Sequence, residues 1–375
     1  MYQRDVMDIV NKWLSSKEII ILYGARQVGK STLLEIMASE NPGMVILNCE
    51  NPVVSDILES KDVNRILALF NGSDIVALDE AQAVHDIGKI MKFLYDDKRV
   101  TQKILATGSS SFELANITGE PLTGRNVKFR LYPLSIHEIS QKKGWLALLE
   151  SLNDLLIYGS YPGIVDLPVV EKKRKLLEMS GDYLFKDIYK FEQLRSPEIL
   201  RKLVKAIALK IGNLVSVPEL AGMTGVSVLT VERYLDLLEK SFVIFKLTSY
   251  SNNLRNELKK SRKYYFYDNG IRNAVLNNFI SVNERTDIGA LWENFCISEY
   301  LKVIENNQRL SNLYFWRTYD GAEIDLVEEK DGQLFAFEFK WNPSKQPSLP
   351  ASFRGNYAVA GLEVVNRERL DFFVR

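Results

Sequence analysis

Between residues 19 and 106, short unbroken apolar runs alternate with stretches whose apolar positions recur at helical spacing. Residues 19–23, 44–48, 74–78 and 103–106 are brief, mostly aliphatic or β-branched, and read as fully buried strands. Leu33, Leu34, Ile36 and Met37 mark a helix directly after the first of them. Such alternation predicts an α/β architecture, a parallel sheet with helices on both faces. Residues 141–195 read as helical, interrupted from Gly159 to Gly163. From 196 the pattern changes. Three helical stretches (198–211, 216–223, 227–240) precede an apolar strand at 242–247, a basic loop and a second strand at 264–267, the order of a winged helix. A long helix at 289–304 and strands near 313–317, 322–329 and 333–340 follow. The expected division is therefore a parallel-sheet core at 1–140, a helical segment at 141–195, a winged-helix domain at 196–286 and a smaller α/β domain at 287–375.

Composition narrows the picture only in places. A chain of 375 residues should form more than one unit. Lys plus Arg and Asp plus Glu both number 48, so no global field draws in nucleic acid, and any such surface must be a local patch. Cys49 and Cys296, with His85 and His137, are too few for a disulfide framework or a zinc site. The first residues lack the plan of a signal peptide, and no apolar run approaches the ~18 residues a spanning helix needs. The expectation is a cytoplasmic protein with no membrane partner.

The strongest chemical signal is Gly24-Ala25-Arg26-Gln27-Val28-Gly29-Lys30-Ser31, followed by Thr32. Its glycines let the backbone curl so that successive N–H groups point at phosphate oxygens. Lys30 supplies a mobile charge for the β- and γ-phosphates, the Ser31 hydroxyl suits Mg²⁺, and the helix opening at Lys30 turns its positive end to the same anion. The loop follows a buried strand and opens a helix, the context that separates a phosphate loop from a glycine turn. A second strand runs into Asp79-Glu80. Acids at the carboxyl end of a parallel strand reach the ligand crevice of an open α/β sheet. Asp79 is then the Mg²⁺-side acid and Glu80 the candidate base that polarises the attacking water. The strand at 103–106 ends in Thr-Gly-Ser-Ser, where Ser109 is the candidate water-orienting residue. The ligands expected are ATP and Mg²⁺.

A second constellation lies near the C-terminus. Asp331-Gly332 between two alternating runs signals a two-residue hairpin. That turn opposes Asp325 to Glu338 and Glu323 to Lys340, with Ile324 against Phe339 and Leu326 against Phe337 on the other face. Two carboxylates about 5 Å apart repel unless a cation bridges them, which Mg²⁺ can do. Lys340 projects from the Glu338 face and could hold a water or a phosphate, and Glu293, on the preceding helix, is the candidate to complete the cluster. The competing reading is a solvated hairpin carrying a Glu323–Lys340 ion pair.

Residues 196–263 hold 12 Lys and Arg against 6 Asp and Glu. Thr230 and Arg233 on the third helix, with Lys259, Lys260, Arg262 and Lys263 in the following loop, make a candidate DNA contact. Winged helices also serve as protein-interaction modules, and that reading stays open.

The motifs together, with Leu-Asp-Glu-Ala-Gln, Thr-Gly-Ser-Ser, Leu-Thr-Gly-Arg at 122–125 and Leu-Tyr-Pro-Leu-Ser at 131–135, resemble a branch of AAA+ ATPases. In that branch the ATPase is fused to a winged helix and a C-terminal domain of PD-(D/E)XK nuclease type. The resemblance runs over nearly the whole chain. It implies an ATP-hydrolysing enzyme at 1–140 and a nuclease-like domain at 287–375, with Asp325, Glu338-x-Lys340 and Glu293 in the pattern. It also implies an arginine finger acting on a neighbouring subunit of a homo-oligomer. Arg125 is the candidate and Arg130 its rival, against a plain loop-capping role. Two outputs remain open: a DNA-associated ATPase with a metal-dependent nuclease, or an ATP-gated scaffold for a protein partner with an inactive nuclease-like domain.

Overall fold

A computed structural model describes residues 1–108, 122–183, 197–251 and 262–374. The chain forms two compact units, Met1–Tyr132 with Lys240–Phe242, and Pro133–Glu239 with Val243–Arg375. Among the described residues no helix is long and apolar enough to cross a membrane.

The first unit is built on strands β1 (Ile19–Tyr23), β2 (Met44–Asn48), β3 (Ile75–Asp79), β4 (Lys103–Gly108) and β5 (Asn126–Arg130). They form one sheet in the order β2-β3-β4-β1-β5, with every neighbouring pair parallel. Four of the five are the apolar runs read from the sequence; β1, β3 and β4 are buried as expected, whereas β2 lies at an edge with only Leu47 buried, because it has a neighbour on one side alone. β5 is the addition: an edge strand in which only Phe129 is buried, so it has no apolar run to advertise it. Helix α1 (Lys30–Glu40) follows β1 and buries Leu33, Leu34 and Met37. Ile19, Ile21, Val76, Leu78 and Ala106 form one core with residues of the helices beside them, among them Phe70 and Met91. The register brings Leu22 level with Thr107, Leu78 with Ala106, and Asn48 with Asp79, so the carboxyl ends of these strands form one rim.

In the second unit, the expected helical segment is a series of short helices between Ile136 and Glu178. Gly159 breaks the series at φ +71, where a Cβ would lie 2.0 Å from an Asp268 carboxylate oxygen. Helices α2 (Pro197–Leu209), α3 (Val217–Thr224) and α4 (Val228–Lys240) follow, with the short strand β6 (Leu214–Val215) between α2 and α3. Strands β7 (Ile244–Ser249) and β8 (Arg262–Phe266) are antiparallel. Helix α5 (Ile288–Asn306) then leads to β9 (Asn312–Arg317), β10 (Glu323–Lys330), β11 (Gln333–Phe339) and β12 (Val359–Val365).

These strands make a single seven-stranded sheet, β12-β11-β10-β9-β7-β8-β6. Thr248 and Ser249 of β7 pair in parallel with Tyr314 and Phe315 of β9. The outer edge of β7 thus finds backbone partners in β9 instead of water. A sheet assigned from sequence to two successive domains is continuous across residue 287.

The hairpin at Asp331-Gly332 has positive φ at both central residues, 50° and 74°, as a two-residue turn matched to strand twist requires. Leu326 pairs with Phe337, as expected, and the register holds to Lys330 and Gln333. Nearer the chemistry β10 departs from regularity, with a shift against β9 between Ile324 and Val327. There the Asp325 carboxylate accepts the Phe339 N–H at 2.9 Å.

Candidate functional site

The phosphate loop emerges from β1 and is held from both sides. Gln27 and Gly29 have positive φ, 62° and 96°, the latter immediately before α1. Gly24 is required for a different reason: a Cβ there would sit 2.1 Å from the Leu131 carbonyl oxygen. Arg4, which sequence reasoning passed over, is buried and donates to the carbonyls of Val28 at 2.7 Å and Tyr132 at 2.6 Å. It ties the loop to the chain just after β5. Lys30 is 5% exposed and donates to the carbonyls of Ala25 and Gly24 at 2.8 and 3.1 Å. Its ammonium lies within the loop that would take the phosphates. Val28 is buried, Ser31 exposed and Thr32 half-buried.

Asp79 and Glu80 stand at the end of β3. Asp79 is buried and accepts the Thr107 hydroxyl at 2.5 Å, and the same hydroxyl accepts the Glu80 N–H at 3.1 Å. Glu80 takes a left-handed φ of 51° and accepts from Gln82. Thr107 is therefore the β4 residue joined to the acidic pair. Ser109, favoured from sequence, lies outside the described residues. The signal for Thr107 was present in Thr-Gly-Ser-Ser, but the sequence could not say which hydroxyl of the four-residue turn meets β3.

The two arginines separate. Arg125 precedes β5 at the amino end of the sheet, away from the phosphate loop, since Asn126 pairs with Ile19. It forms an ion pair with Asp96 at 3.0 Å. Arg130 ends β5 level with Tyr23, at the loop end, and its guanidinium lies 5.5 Å from the Tyr23 ring centroid.

In the second unit the carboxylates gather. Asp325 and Glu338 are 7% and 6% exposed, which removes the solvated-hairpin reading. Lys340 bridges them, at 2.8 Å from Asp325 and 2.5 Å from Glu338. The expected Glu323–Lys340 opposition is replaced: Glu323 pairs with Arg317 at 3.0 Å and with Lys263. Lys263 is 1% exposed and its ammonium lies 3.1 Å from Glu293, which also accepts the Tyr265 hydroxyl at 2.6 Å. Lys263, expected to meet phosphates in the wing, therefore points inward; β8 is buried from Lys263 to Phe266, and strand alternation puts Lys263 and Tyr265 on the side that meets Glu293 of α5.

Burial, with Asp325 adding to it, pushes Glu338 up to about 7. Burial pushes Glu293 up to about 7 as well, against the opposing pull of Lys263 and with Asp325 reinforcing the rise. Lys340 and Lys263 are both raised: burial opposes this, but the adjoining carboxylates outweigh it. Among the described residues no group of three or more His, Cys, Asp or Glu side chains is arranged to hold a metal ion. Glu293 is engaged by the Lys263 ammonium and the Tyr265 hydroxyl.

Four of the six candidate DNA-contact residues lie among the described ones. Arg233 is exposed on α4, whereas the Thr230 hydroxyl is engaged with Ser227 at 2.8 Å. Arg262 is half-buried at the start of β8, and Lys259 and Lys260 lie outside the described residues. The exposed positions of α4 also include Val228, Leu229, Glu232 and Asp236.

Comparison with known proteins agrees with this geometry for the first unit. A family model described as "AAA domain" matches residues 16–140. Two models described as domains of unknown function match residues 149–281 and 288–372. The Walker-type ATPase PABY2304 of Pyrococcus abyssi has a similar structure, with TM-score 0.53 at 17% identity, over 74% of this chain and 96% of that one. An uncharacterized protein of Mycobacterium tuberculosis is 26% identical over 94% of this chain and 76% of its own length. One of Haemophilus influenzae is 27% identical over 88% and 85%. The chain carries a P-loop, AAA-like ATPase domain on an α/β fold, joined to a further mixed sheet and helices.

Proposed function

We propose that the chain hydrolyses ATP with Mg²⁺ and couples turnover to a metal-dependent, nuclease-type site acting on DNA. The ATPase half is carried by one observation: the phosphate loop, Asp79 and Thr107 meet at the carboxyl ends of three adjacent parallel strands. The backbone from Gly24 to Thr32 and Lys30 would hold the phosphates. Ser31 and Asp79 would hold Mg²⁺, which neutralises charge developing on the transferred phosphoryl group. Glu80 would orient the attacking water, and Thr107 keeps the two acids in place. Of the two arginines, Arg130 stands at the phosphate end of the sheet, while Arg125 would have to act on a neighbouring copy. Loss of ATP turnover in Lys30→Ala and Glu80→Gln tests this assignment; undiminished turnover in both would overturn it.

For the second unit, buried Asp325 and Glu338 with Lys340 beside them support a divalent-cation site. Oxygen ligands suit Mg²⁺ or Mn²⁺, and Lys340 could hold a scissile phosphate or a water. The test is Mn²⁺-dependent cleavage of DNA by wild type and Asp325→Ala. Equal activity, or none on any DNA, would retire the nuclease reading.

A different observation favours the second reading, an ATP-gated scaffold for a protein partner. The exposed face of α4 sets two carboxylates, Glu232 and Asp236, beside one cation, Arg233, and adds exposed Val228 and Leu229. Such a face repels phosphates and suits a protein surface better. Retention of the chain on duplex DNA at low salt, with and without ATP, separates the two.

A further inference from the structure

The carboxylate cluster has two halves, and each already holds an ammonium. In one, Lys340 lies between Asp325 and Glu338 at its partly exposed edge, its side chain 27% accessible. In the other, Lys263 lies between Glu293 and Glu323 with its side chain 1% accessible. The halves differ in what surrounds them. The Lys263 ammonium is 5.5 Å from the centroid of the buried Phe315 ring. Tyr265 occupies the same Glu293 oxygen that Lys263 does. Over the other Glu293 oxygen comes Gly212 at φ +75, where an added Cβ would lie only 3.2 Å away. Backbone pairing of β8 with both β6 and β7 fixes where Lys263 emerges. An ion approaching Glu293 meets a filled, walled space; one approaching Asp325 and Glu338 has only to displace the flexible end of Lys340.

We propose that Lys263 is a resident cation of this site, a positioning residue that takes Glu293 and Glu323 out of metal binding and limits the site to a single divalent ion on Asp325 and Glu338. The inference rests on reading those two residues as cation ligands. A fixed ammonium does for Glu293 and Glu323 what a second metal ion does in a two-metal centre: it neutralises buried carboxylates at short range. It cannot polarise a water, so chemistry at the site has one Lewis acid and not two.

The test is calorimetric titration of the nucleotide-free chain with MnCl₂, counting ions lost when Asp325→Asn and Glu293→Gln are combined, so that ions held outside both halves of the cluster drop out. Wild type should bind one such ion. Glu293→Gln keeps the shape of the side chain and should change the affinity for that ion less than threefold. A loss of more than tenfold would make Glu293 a ligand and overturn the inference. Lys263→Met should admit a second ion, whereas Lys263→Arg should keep the stoichiometry at one. A count of one in Lys263→Met, with thermal melting showing it folded, would also overturn the proposal. If Lys263→Met does not fold, Glu293→Gln decides alone. Wild type and Lys263→Met both binding no Asp325-dependent ion would remove the cation-site reading itself, and the inference with it.

Discussion

The Thr107 hydroxyl donates to Asp79 Oδ1 at 2.5 Å while accepting the backbone N–H of Glu80 at 3.1 Å. One oxygen on β4 therefore orients both acids at the end of β3. Its burial is complete, so no water can substitute for it without rearrangement.

Replacing Thr107 by Val removes both hydrogen bonds at nearly constant volume. Loss of a residue that orients a metal-side acid typically costs ten- to a hundredfold in activity or metal affinity. We expect kcat for ATP hydrolysis to fall by about that factor, with the nucleotide dissociation constant changed far less. Thr107→Ser should recover most of the rate. Steady-state turnover and nucleotide titration on the same preparations check both.

Lys30→Ala should weaken nucleotide binding while leaving the fold intact. At ATP about 100-fold above the dissociation constant, binding stabilises the native state by about 2.7 kcal/mol, and the variant should lose most of that stabilisation. Melting temperatures with and without ATP and Mg²⁺ read it directly: a rise in wild type, little or none in the variant.

Gly24→Ala places a methyl 2.1 Å from the Leu131 carbonyl oxygen, and because both partners are backbone, neither side can rotate away. The loop or the Leu131 segment must shift, at a cost of roughly 2 kcal/mol or more. Chemical denaturation should show that loss, together with weaker ATP binding. An unchanged midpoint would mean the strand ends yield more easily than their hydrogen bond, Leu131 N–H to Tyr23 carbonyl at 2.7 Å, suggests.

The buried carboxylates make stability depend on pH. Glu338 and Glu293 each rise from 4.5 to about 7 on folding. Between those values the native state holds protons that the unfolded chain has released, so the stability they contribute is full below about 4.5 and is lost as pH climbs through 7. In metal-free buffer the melting temperature should therefore fall between pH 5 and 8, beyond any change from other groups. Glu338→Gln should flatten that slope, and Mn²⁺ should offset the fall at the upper end.

Much of this molecule could be read from one dimension. The phosphate loop, the four apolar strands, the hairpin turn at Asp331-Gly332 and its register from Leu326 to Lys330 all follow from short-range rules. Glycines permit unusual φ, apolar runs bury, and strand alternation has a period of two. What only tertiary structure decided is where non-neighbouring side chains meet. The pairing of β3 beside β4 set the Thr107 hydroxyl against Asp79 and the Glu80 N–H. Arg125 was carried to the far end of the sheet by the direction of β5, an edge strand too polar to declare itself. Lys263 looked like a surface charge in a basic segment, yet the pairing of β8 with β6 and β7 turns it inward onto Glu293, 30 residues along the chain. A run of sequence states charge and spacing, but a buried ion pair is made by the packing of a whole sheet against a helix. The neutralising partner of a carboxylate is therefore settled by the fold, after local pattern has already chosen the strands.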